Sequence, residues 1–403
     1  MSTIRGLVTF NGVLFGVRDD TLLSWDSAGA QTTIGTIGSA GGPVDFAANL
    51  FQLGIADGNA LWVYNGSTLV QSPNYVAGTR IGVVDQRLVF IEQSTQKFGF
   101  SGLGDMMSID AADFFSAESV PDNLVSMAIV YGEAFMLGEY SGEIWSSVDP
   151  PETFRRNKSA YIEYGCAAAH SLQLAGGSCV WLGRNQRGQA SVLQLQGYQG
   201  KAVSTRAIEE RFENLDLGAA RAYVRMEGKR ESYYLNVPGV DTTLVYDCAY
   251  QQWHEEAELV NGAYRPFRAT CSAFAYGNHY VGADDGIVYK LDPEVHNFAG
   301  DVKCRDRISP VISNPSRTPM SFPEFEVVAE TATNGTAMLR YSNDNGNNWA
   351  GWRYKSAGNI GNYRTRIKFR RLTNGTVYDR VYHLRMTDDA PWNPVTVNAA
   401  VVV

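Results

Sequence analysis

The fold is predicted most directly from GEAFMLGEYSGEIWSSV, residues Gly132–Val148. Two short apolar runs, Ala134–Leu137 and Glu143–Trp145, flank Tyr140–Gly142, where small and polar residues permit the tight reversal of an antiparallel hairpin. The preceding run, Leu124–Tyr131, is apolar almost throughout, which is typical of a strand buried on both faces. The segment therefore predicts a small antiparallel sheet with a buried first strand.

The same unit recurs along the chain as a strand, a turn, a central apolar strand, a second turn and an outer strand. The copies follow one another roughly every 40–50 residues, the length of a propeller blade. Seven copies are found, at Leu7–Asp26, Val44–Tyr64, Arg80–Phe100, Leu124–Val148, His170–Leu195, Ala222–Asp247 and Thr270–Asp292. One such sheet cannot bury its hydrophobic face alone, whereas a ring of them buries each face against the next.

We therefore predict an all-β protein that begins with a β-propeller over residues 1–293, rather than one large sandwich of hairpins. The propeller has about seven blades, with six as the alternative count. Because the first copy starts so near residue 1, we expect the first and last copies to lie in one blade or in adjacent blades, since open sheet edges would otherwise invite aggregation.

Composition agrees with turn-rich β structure: the 403 residues include 40 glycines, and 19% are charged. One helix is predicted at Thr205–Leu215, with Ile208, Phe212 and Leu215 on one face. The five widely spaced cysteines are typical of free thiols. The N-terminus lacks a secretory pattern, and no apolar run approaches the roughly 18–20 residues of a membrane span, so no membrane partner is expected.

A domain boundary is predicted at residues 294–323, which are rich in Pro, Ser and Asn and read as a linker. Residues 324–403 predict a β-sandwich, with strands separated by Asn-Gly turns at Asn334-Gly335 and Asn374-Gly375. The charge balance changes sign at this boundary. Residues 1–293 carry 20 basic and 32 acidic side chains (net −12), and residues 294–403 carry 14 and 10 (net +4).

Catalytic chemistry has no sequence signature in this chain. The five histidines lack metal-ligand spacing, and no HExxH, CxxC, phosphate-loop or GxSxG pattern occurs. We therefore assign no catalytic, cofactor-binding or metal-binding residues and predict that the protein is not an enzyme. The alternative is a carbohydrate-active propeller, of the sialidase or glycoside hydrolase kind, or a sugar-binding one. An enzyme of that kind requires carboxylates or arginines that converge in the central channel.

One motif, SNDNGNNW at Ser342–Trp349, matches the Asp-box of sialidase propellers. In physical terms it is a hairpin turn, in which Asp344 accepts backbone N–H groups, Gly346 takes a positive φ and Trp349 packs beneath. We interpret Ser342, Asp344, Gly346 and Trp349 as a structural turn rather than a calcium site, because a single carboxylate is a poor ligand set for Ca²⁺.

The strongest functional signal is YRTRIKFRR, residues Tyr363–Arg371. In a strand, alternate side chains share a face, which places four cations on one side and apolar residues on the other. These cations are Arg364, Arg366, Lys368 and Arg370. The pattern predicts an assembly interface, because arginine favours planar recognition of carboxylate or phosphate. The alternative is a solvated edge strand that uses charge to avoid aggregation.

Several motifs resemble the packaged-DNA stabilisation proteins of short-tailed phages, or podoviruses. They are SAE-x-x-PD at Ser116–Asp122, G-E-x-S-G-E-I-W at Gly138–Trp145, IE-x-G-C-A-A at Ile162–Ala168 and IGNYRTRIKFRRL at Ile360–Leu372. The resemblance covers roughly residues 80–390, and these motifs are structural rather than catalytic.

The resemblance implies a tail hub, a head–tail connector component of the virion that is assembled in the cytoplasm of the host bacterium. Its copies would form a ring, a hexamer in this family, beneath the portal and its adaptor ring. That ring would close the head after packaging and provide attachment for tailspikes or fibres and for a needle, with indirect contact to DNA in the tail channel. No cofactor is implied.

Overall fold

A computed structural model of the chain describes residues 2–402 apart from 118–120, 150–151, 229, 331–333, 360–363 and 373–374. Parts of three sequence patterns lie outside the described residues: residues 118–120 of the SAE-x-x-PD motif, residues 360–363 before the cationic strand, and Asn374 of the second Asn-Gly turn. The chain forms two compact units. The first consists of Met1–Ala257 with Arg265–Leu291, and the second of Glu258–Tyr264 with Asp292–Val403. No helix among the described residues is long and apolar enough to cross a membrane.

The propeller comprises seven antiparallel sheets in the described residues, each made of strands that follow one another in sequence. These sheets belong to the first unit, except for Glu258–Tyr264 at the tip of the sixth sheet, which belongs to the second. Blades one and two comprise β1 (Ile4–Phe10), β2 (Val13–Arg18), β3 (Thr21–Trp25), β4 (Gln31–Thr36), β5 (Asp45–Ala48), β6 (Leu53–Ala56), β7 (Leu61–Tyr64) and β8 (Leu69–Gln71). Blades three and four comprise β9 (Ile81–Val84), β10 (Arg87–Ile91), β11 (Lys97–Gly102), β12 (Asp105–Ser116), β13 (Leu124–Val130), β14 (Glu133–Gly138), β15 (Gly142–Ser147) and β16 (Phe154–Ile162).

The last three blades complete the ring. Blade five comprises β17 (Gly165–Cys166), β18 (Gln173–Ala175), β19 (Ser178–Arg184), β20 (Ala190–Gln196) and β21 (Gln199–Ala202). Blades six and seven comprise β22 (Arg221–Glu227), β23 (Arg230–Asn236), β24 (Thr243–Asp247), β25 (Gln252–Val260), β26 (Ala263–Pro266), β27 (Ala269–Ala275), β28 (Asn278–Ala283) and β29 (Val288–Lys290). The predicted propeller is confirmed, and its blades number seven.

Neighbouring blades pack through apolar side chains, because each sheet buries one face against the next. Between blades three and four, Phe98 lies 5.0 Å from Trp145 and 6.1 Å from Phe154, measured between ring centroids. Blades six and seven are also linked by polar contacts: the Asn236 amide donates to the Ala269 carbonyl (3.0 Å). All five cysteines are free thiols, and Cys166 and Cys179 are buried.

The ring closes by packing of the first blade on the last, which confirms the prediction that the first and last copies are neighbours. Strand β1 lies beside β27, and the Thr270 hydroxyl donates to the Ile4 carbonyl (2.9 Å). Ile4, Leu14 and Trp25 share an apolar cluster with Ala275.

Three sequence motifs meet in one place in blade four. The carboxylate of Asp122 accepts hydrogen bonds from the backbone N–H groups of Tyr140 (2.7 Å) and Ser141 (3.0 Å), which fixes the turn between β14 and β15. Gly165 packs on the same turn so closely that a Cβ there would lie 2.4 Å from the Gly138 carbonyl oxygen. Three of the four motifs that carried the family resemblance therefore form one structural joint between blades four and five.

The predicted helix at Thr205–Leu215 is wrong in its length. It consists of α1 (Arg206–Glu209) and a single 3-10 turn, Glu210–Phe212. Glu213 is already extended (φ −61°, ψ 133°), and Asn214 follows with a positive φ of 63°, so the helix does not continue to Leu215. Ile208 and Phe212 are nevertheless buried in the core between blades five and six.

The second unit contains two sheets that enclose an apolar core, the arrangement of a β-sandwich. The first sheet comprises β30 (Arg305–Ile308), β31 (Ile312–Ser313), β33 (Thr336–Ser342), β34 (Arg353–Ser356) and β36 (Asp379–Met386). The second comprises β32 (Glu324–Ala329), β35 (Thr365–Arg370) and β37 (Pro394–Ala399). Phe325, Leu339 and Phe369 are among the core residues.

The predicted linker at residues 294–323 contains two strands of the sandwich. Both β30 and β31 pair with β36, with Arg307 opposite Leu384 and Ile312 opposite Arg380. These strands are short and separated by proline, so their sequence resembles a linker. Their conformation is set by pairing with a strand more than 60 residues further along the chain.

Candidate functional site

The predicted cationic strand is β35, which forms one edge of its sheet. Ile367 and Phe369 are buried in the sandwich core, whereas Arg366 and Arg370 are exposed. Arg364, just before the strand, is exposed as well. The alternation places the four cations on the outer face of the sheet, as the period of a strand requires.

The neighbouring strand supplies two carboxylates to the same face, because its antiparallel register places Glu324 opposite Arg370 and Glu326 opposite Lys368. Glu324 is paired with Arg370 (2.7 Å) and with Lys368 (3.1 Å). Glu326 lies 3.0 Å from Lys368 and 3.9 Å from Arg366. Hydrogen bonds from Arg370 and Lys368 lower the pKa of Glu324. The sequence reveals the cations of one strand, and only the register reveals the carboxylates beside them.

The outer face is consequently less basic than the sequence pattern suggests. Four cations against Glu324 and Glu326 leave an excess charge of +2. The ion pairs also orient the cations, since Lys368 is held between two carboxylates. The side chains of Arg366 and Arg370 are 70% and 68% exposed, so their guanidinium groups remain accessible to a second surface.

The Asp-box turn connects β33 to β34. The Asp344 carboxylate accepts hydrogen bonds from the Ser342 hydroxyl (2.7 Å), the Asn348 N–H (2.8 Å) and the Asn348 side-chain amide (2.6 Å). These bonds, that from Ser342 first, lower the pKa of Asp344 to about 2. Gly346 has φ = 95° and donates its N–H to Ser342. No cluster of three or more potential metal ligands occurs among the described residues.

The Asp-box tryptophan packs against a cation of the same unit. The Arg340 guanidinium lies 4.6 Å from the ring centroids of both Trp349 and Trp352. Arg340 also donates to His383 Nδ1 (3.1 Å), and His383 Nε2 lies 2.9 Å from Asp306. The contacts made by this turn are therefore those of a structural element, joined to the sheet beneath it.

The central channel of the propeller has a volume of about 470 Å³ and is lined by the innermost strand of every blade. Three arginines reach it, namely Arg5, Arg80 and Arg221, together with one carboxylate, Asp45. Each arginine stands at or next to the start of an innermost strand, in blades one, three and six. The sequence analysis assigned no role to these residues, because positions 75 and 141 residues apart are brought together only by ring closure. Their repeated place at the start of a blade is the one signal that could have found them.

A family model described as the β-propeller of bacteriophage P22 Gp10 matches residues 2–296. A second, described as the β-sandwich of the same protein, matches residues 306–402. The chain belongs to the bacteriophage P22 Gp10 family. The chain is therefore a structural tail protein of the phage virion, of the type that stabilises packaged DNA.

Two solved structures with a similar fold have little sequence identity to this chain. The extracellular domain of a putative one-component system from B. thetaiotaomicron is 10% identical over 90% of this chain and 48% of its own, with a TM-score of 0.48, so this chain spans about half of its length. The WD40 propeller of Doa1 is 8% identical over 72% of this chain and 93% of its own, with a TM-score of 0.45. No curated protein sequence matches the chain. These likenesses carry no argument about the function of a Gp10-family protein.

Proposed function

We propose that this Gp10-family protein is a tail hub. Its copies assemble into a ring, six in number by the family resemblance, that joins the portal-side adaptor ring to the tail. The ring helps to retain packaged DNA and offers attachment to tailspikes or fibres and to a needle. The cationic face of β35 is the part of the molecule to which we assign the contact between copies.

The observation that carries this proposal is the exposed guanidinium pair on a rigid strand. Arg366 and Arg370 project from the same face of β35, whose opposite face is anchored in the core by Ile367 and Phe369. Their carboxylate partners hold the cationic side chains in place before any partner arrives, which reduces the entropy lost on binding. A bidentate guanidinium that becomes desolvated at an interface contributes strongly to affinity.

The charge distribution along the sequence favours a contact between unlike surfaces. Residues 1–293 carry a net charge of −12, and residues 294–403 carry +4. In a ring of identical copies, a heterologous contact places a basic face of one copy on an acidic surface of the next. Such complementarity sets the register and raises the encounter rate.

The test is to reverse the two exposed arginines, in the variant Arg366→Glu/Arg370→Glu. We expect ring formation to weaken, more at low salt than at high salt, because screening reduces the interaction of exposed charges. The matched control is Arg187→Glu/Arg317→Glu, which changes the net charge equally at two exposed cations in turns outside β35 and its neighbouring strands. Sedimentation velocity of both variants at two salt concentrations gives the size of the assembly. Normal assembly of the β35 variant would show that the face is a solvated edge.

A second variant distinguishes electrostatic contact from local damage. Glu324→Gln breaks the ion pairs of Glu324 with Lys368 and Arg370. Like the double reversal, it therefore disturbs ion pairs within this face, but it makes the face more basic rather than more acidic. Assembly on an acidic surface should therefore strengthen at low salt, whereas a damaged sheet would weaken it. Glu330→Gln, at an exposed carboxylate beyond the strand, is the control.

Three arginines, Arg5, Arg80 and Arg221, line the channel and meet the arginine part of the criterion for a carbohydrate-active propeller, but the carboxylate part is not met. Hydrolysis of a glycosidic bond ordinarily requires two carboxyl groups that flank it. Among the described residues that line the channel, Asp45 is the single carboxylate, and it lies 3.4 Å from Arg80. We therefore propose a binding and assembly role rather than a hydrolytic one.

A further inference from the structure

The three arginines of the propeller channel differ in how their donors are used. Arg5 is buried, and its guanidinium donates to the backbone carbonyls of Gly41 and Gly42 (both 2.6 Å) and of Asp19 (2.7 Å). These bonds tie the loop before β5 to the first blade. Arg5 is therefore a structural residue, with few donors left for a ligand.

Arg80 is only partly satisfied. Its side chain is 12% exposed, and its Nε lies 3.4 Å from Asp45 without a hydrogen bond to any described residue. The single hydrogen bond from this guanidinium is a long one, from Nη2 to the Leu172 carbonyl (3.4 Å). The same Asp45 oxygen accepts a hydrogen bond from the Ile81 N–H at 2.8 Å, so it takes part in one hydrogen bond and in the ion pair with Arg80. A guanidinium has five N–H donors, and most of those of Arg80 remain available.

Arg221 has no ion pair and no side-chain hydrogen bond among the described residues. It is half-buried at the start of β22, and burial lowers the pKa of its guanidinium. A half-buried cation without a partner is unfavourable, because it has lost part of its hydration and gained no compensating charge.

The surroundings do not neutralise these cations. His170 lines the channel between them, and burial together with the charges of Arg80 and Arg221 lowers its pKa to about 3. It is therefore neutral at ordinary pH and contributes no negative charge. With Asp45 as the one carboxylate of the described lining, three arginines leave an excess of +2 in a confined space.

We propose that the propeller channel binds a small oxyanion, a phosphate or carboxylate group, between Arg80 and Arg221. The channel volume of about 470 Å³ lies within the usual range of small-molecule sites. Planar guanidinium groups match the geometry of both oxyanions. The ligand would supply the negative counter-charge that Arg221 lacks. The free N–H groups of Arg80 would donate a second set of hydrogen bonds to the same ligand.

The test is isothermal titration calorimetry of the full chain with inorganic phosphate and, separately, with malonate, at constant ionic strength. We expect one site per chain for at least one of these probes, and the preferred probe identifies the oxyanion. Arg221→Met should weaken that binding about tenfold or more, through loss of a charge-assisted partner. Arg187→Ala, at an exposed arginine in a turn of blade five, should leave it unchanged. No binding of either probe, or equal binding by Arg221→Met, would overturn the proposal.

The stability of the same variant gives an independent reading. In chloride buffer, the thermal midpoint of Arg221→Met should equal or exceed that of the wild type, because an unpaired half-buried charge has been removed. Phosphate or malonate should then raise the midpoint of the wild type and not that of the variant. A midpoint that falls sharply without either anion would show that Arg221 is a structural residue and contradict the proposal. Ring assembly is expected to be normal in this variant, which separates this test from that of the hub function.

Discussion

Three side chains of the second unit converge on the carboxylate of Asp306. Its carboxylate receives Arg385 Nε (2.7 Å), the Tyr264 hydroxyl (2.8 Å) and His383 Nε2 (2.9 Å). Burial alone would raise the pKa of Asp306, but the hydrogen bonds from His383, Arg385 and Tyr264 outweigh it and hold the pKa well below its usual range. The residue lies in a segment whose composition predicts a linker, so its role depends wholly on contacts distant in sequence.

Asp306→Ala should lower the free energy of unfolding of the sandwich by about 2–3 kcal/mol, because it leaves Arg385 and His383 without their shared acceptor. Urea denaturation measures the change. Glu294→Ala, an exposed carboxylate of the same segment, is the control and should have little effect. Since the folded-state pKa is depressed, the contribution of Asp306 is present above about pH 4 and is lost as the pH falls. Equal stability of the two variants would contradict this account.

Asp344 offers a second pH-dependent prediction. Its pKa of about 2 lies below the usual value of roughly 4, so its hydrogen bonds stabilise the turn at neutral pH and are lost as the carboxyl protonates between these values. Asp344→Ala should unfold at lower temperature than the wild type at pH 7, and the difference should shrink as the pH approaches 2. Differential scanning calorimetry over this range tests it. Ring assembly at low temperature should persist, and its loss in a stable variant would show that the turn has a direct assembly role.

At the scale of elements, the joint between blades four and five explains why its segments carry recognisable motifs. The turn between β14 and β15 is held by Asp122 on one side and covered by Gly165 on the other. Glu143, in the next strand, is buried and accepts the indole N–H of Trp145 (3.1 Å). The residues of each motif therefore make a close backbone contact or a buried polar contact, and none of these contacts involves a catalytic group.

Gly165→Ala should destabilise the propeller by about 2–3 kcal/mol, since the added Cβ would lie 2.3 Å from the backbone of Glu139 and Tyr140. Backbone atoms cannot rotate away as a flexible side chain could. Gly41→Ala is the matched control, because a Cβ there has no neighbour within 4 Å. Chemical denaturation that gives both variants the same stability would show that the joint can relax.

At the scale of the whole molecule, closure of the ring depends on contacts between residues more than 250 positions apart. The Tyr276 hydroxyl of blade seven donates to the Trp25 carbonyl (2.7 Å) and accepts the Leu14 N–H (3.2 Å) of blade one. The apolar cluster around Ile4 completes the same junction. Because the first blade is built wholly from the N-terminal strands, this junction is held by packing and hydrogen bonds rather than by a shared sheet.

Tyr276→Phe should lower the free energy of unfolding of the propeller by about 1 kcal/mol, through loss of two partly buried hydrogen bonds. Tyr131→Phe removes a hydroxyl that also bridges two blades, to the Gly177 carbonyl (2.7 Å), but Tyr131 is 86% exposed and water can replace that bond. Its effect should be smaller. Hydrogen exchange of β1 and β27 would further show faster opening in Tyr276→Phe, and unchanged exchange there would contradict a role in closure.

Both the propeller and the sandwich could be predicted from local sequence patterns. The repeated blade pattern, the turns and the alternation in β35 depend on local chemistry: strand period, backbone freedom of glycine and the hydrogen bonding of Asn and Asp. The same local chemistry placed Ile367 and Phe369 inside the sandwich and Arg366 and Arg370 outside. These features can be predicted from the sequence because each depends on residues within a few positions of one another.

The way in which the charges combine depends on contacts between distant segments of the chain. The register of the second sheet places Glu324 and Glu326 beside β35. Closure of the ring brings Arg80 and Arg221 into one channel, and pairing with β36 turns the predicted linker at residues 294–323 into strands. Electrostatic interactions act through space over several ångströms, with no regard to distance along the chain. A pattern in one segment therefore gives the sign of a surface, and the contacts between segments decide how much of that charge remains for a partner.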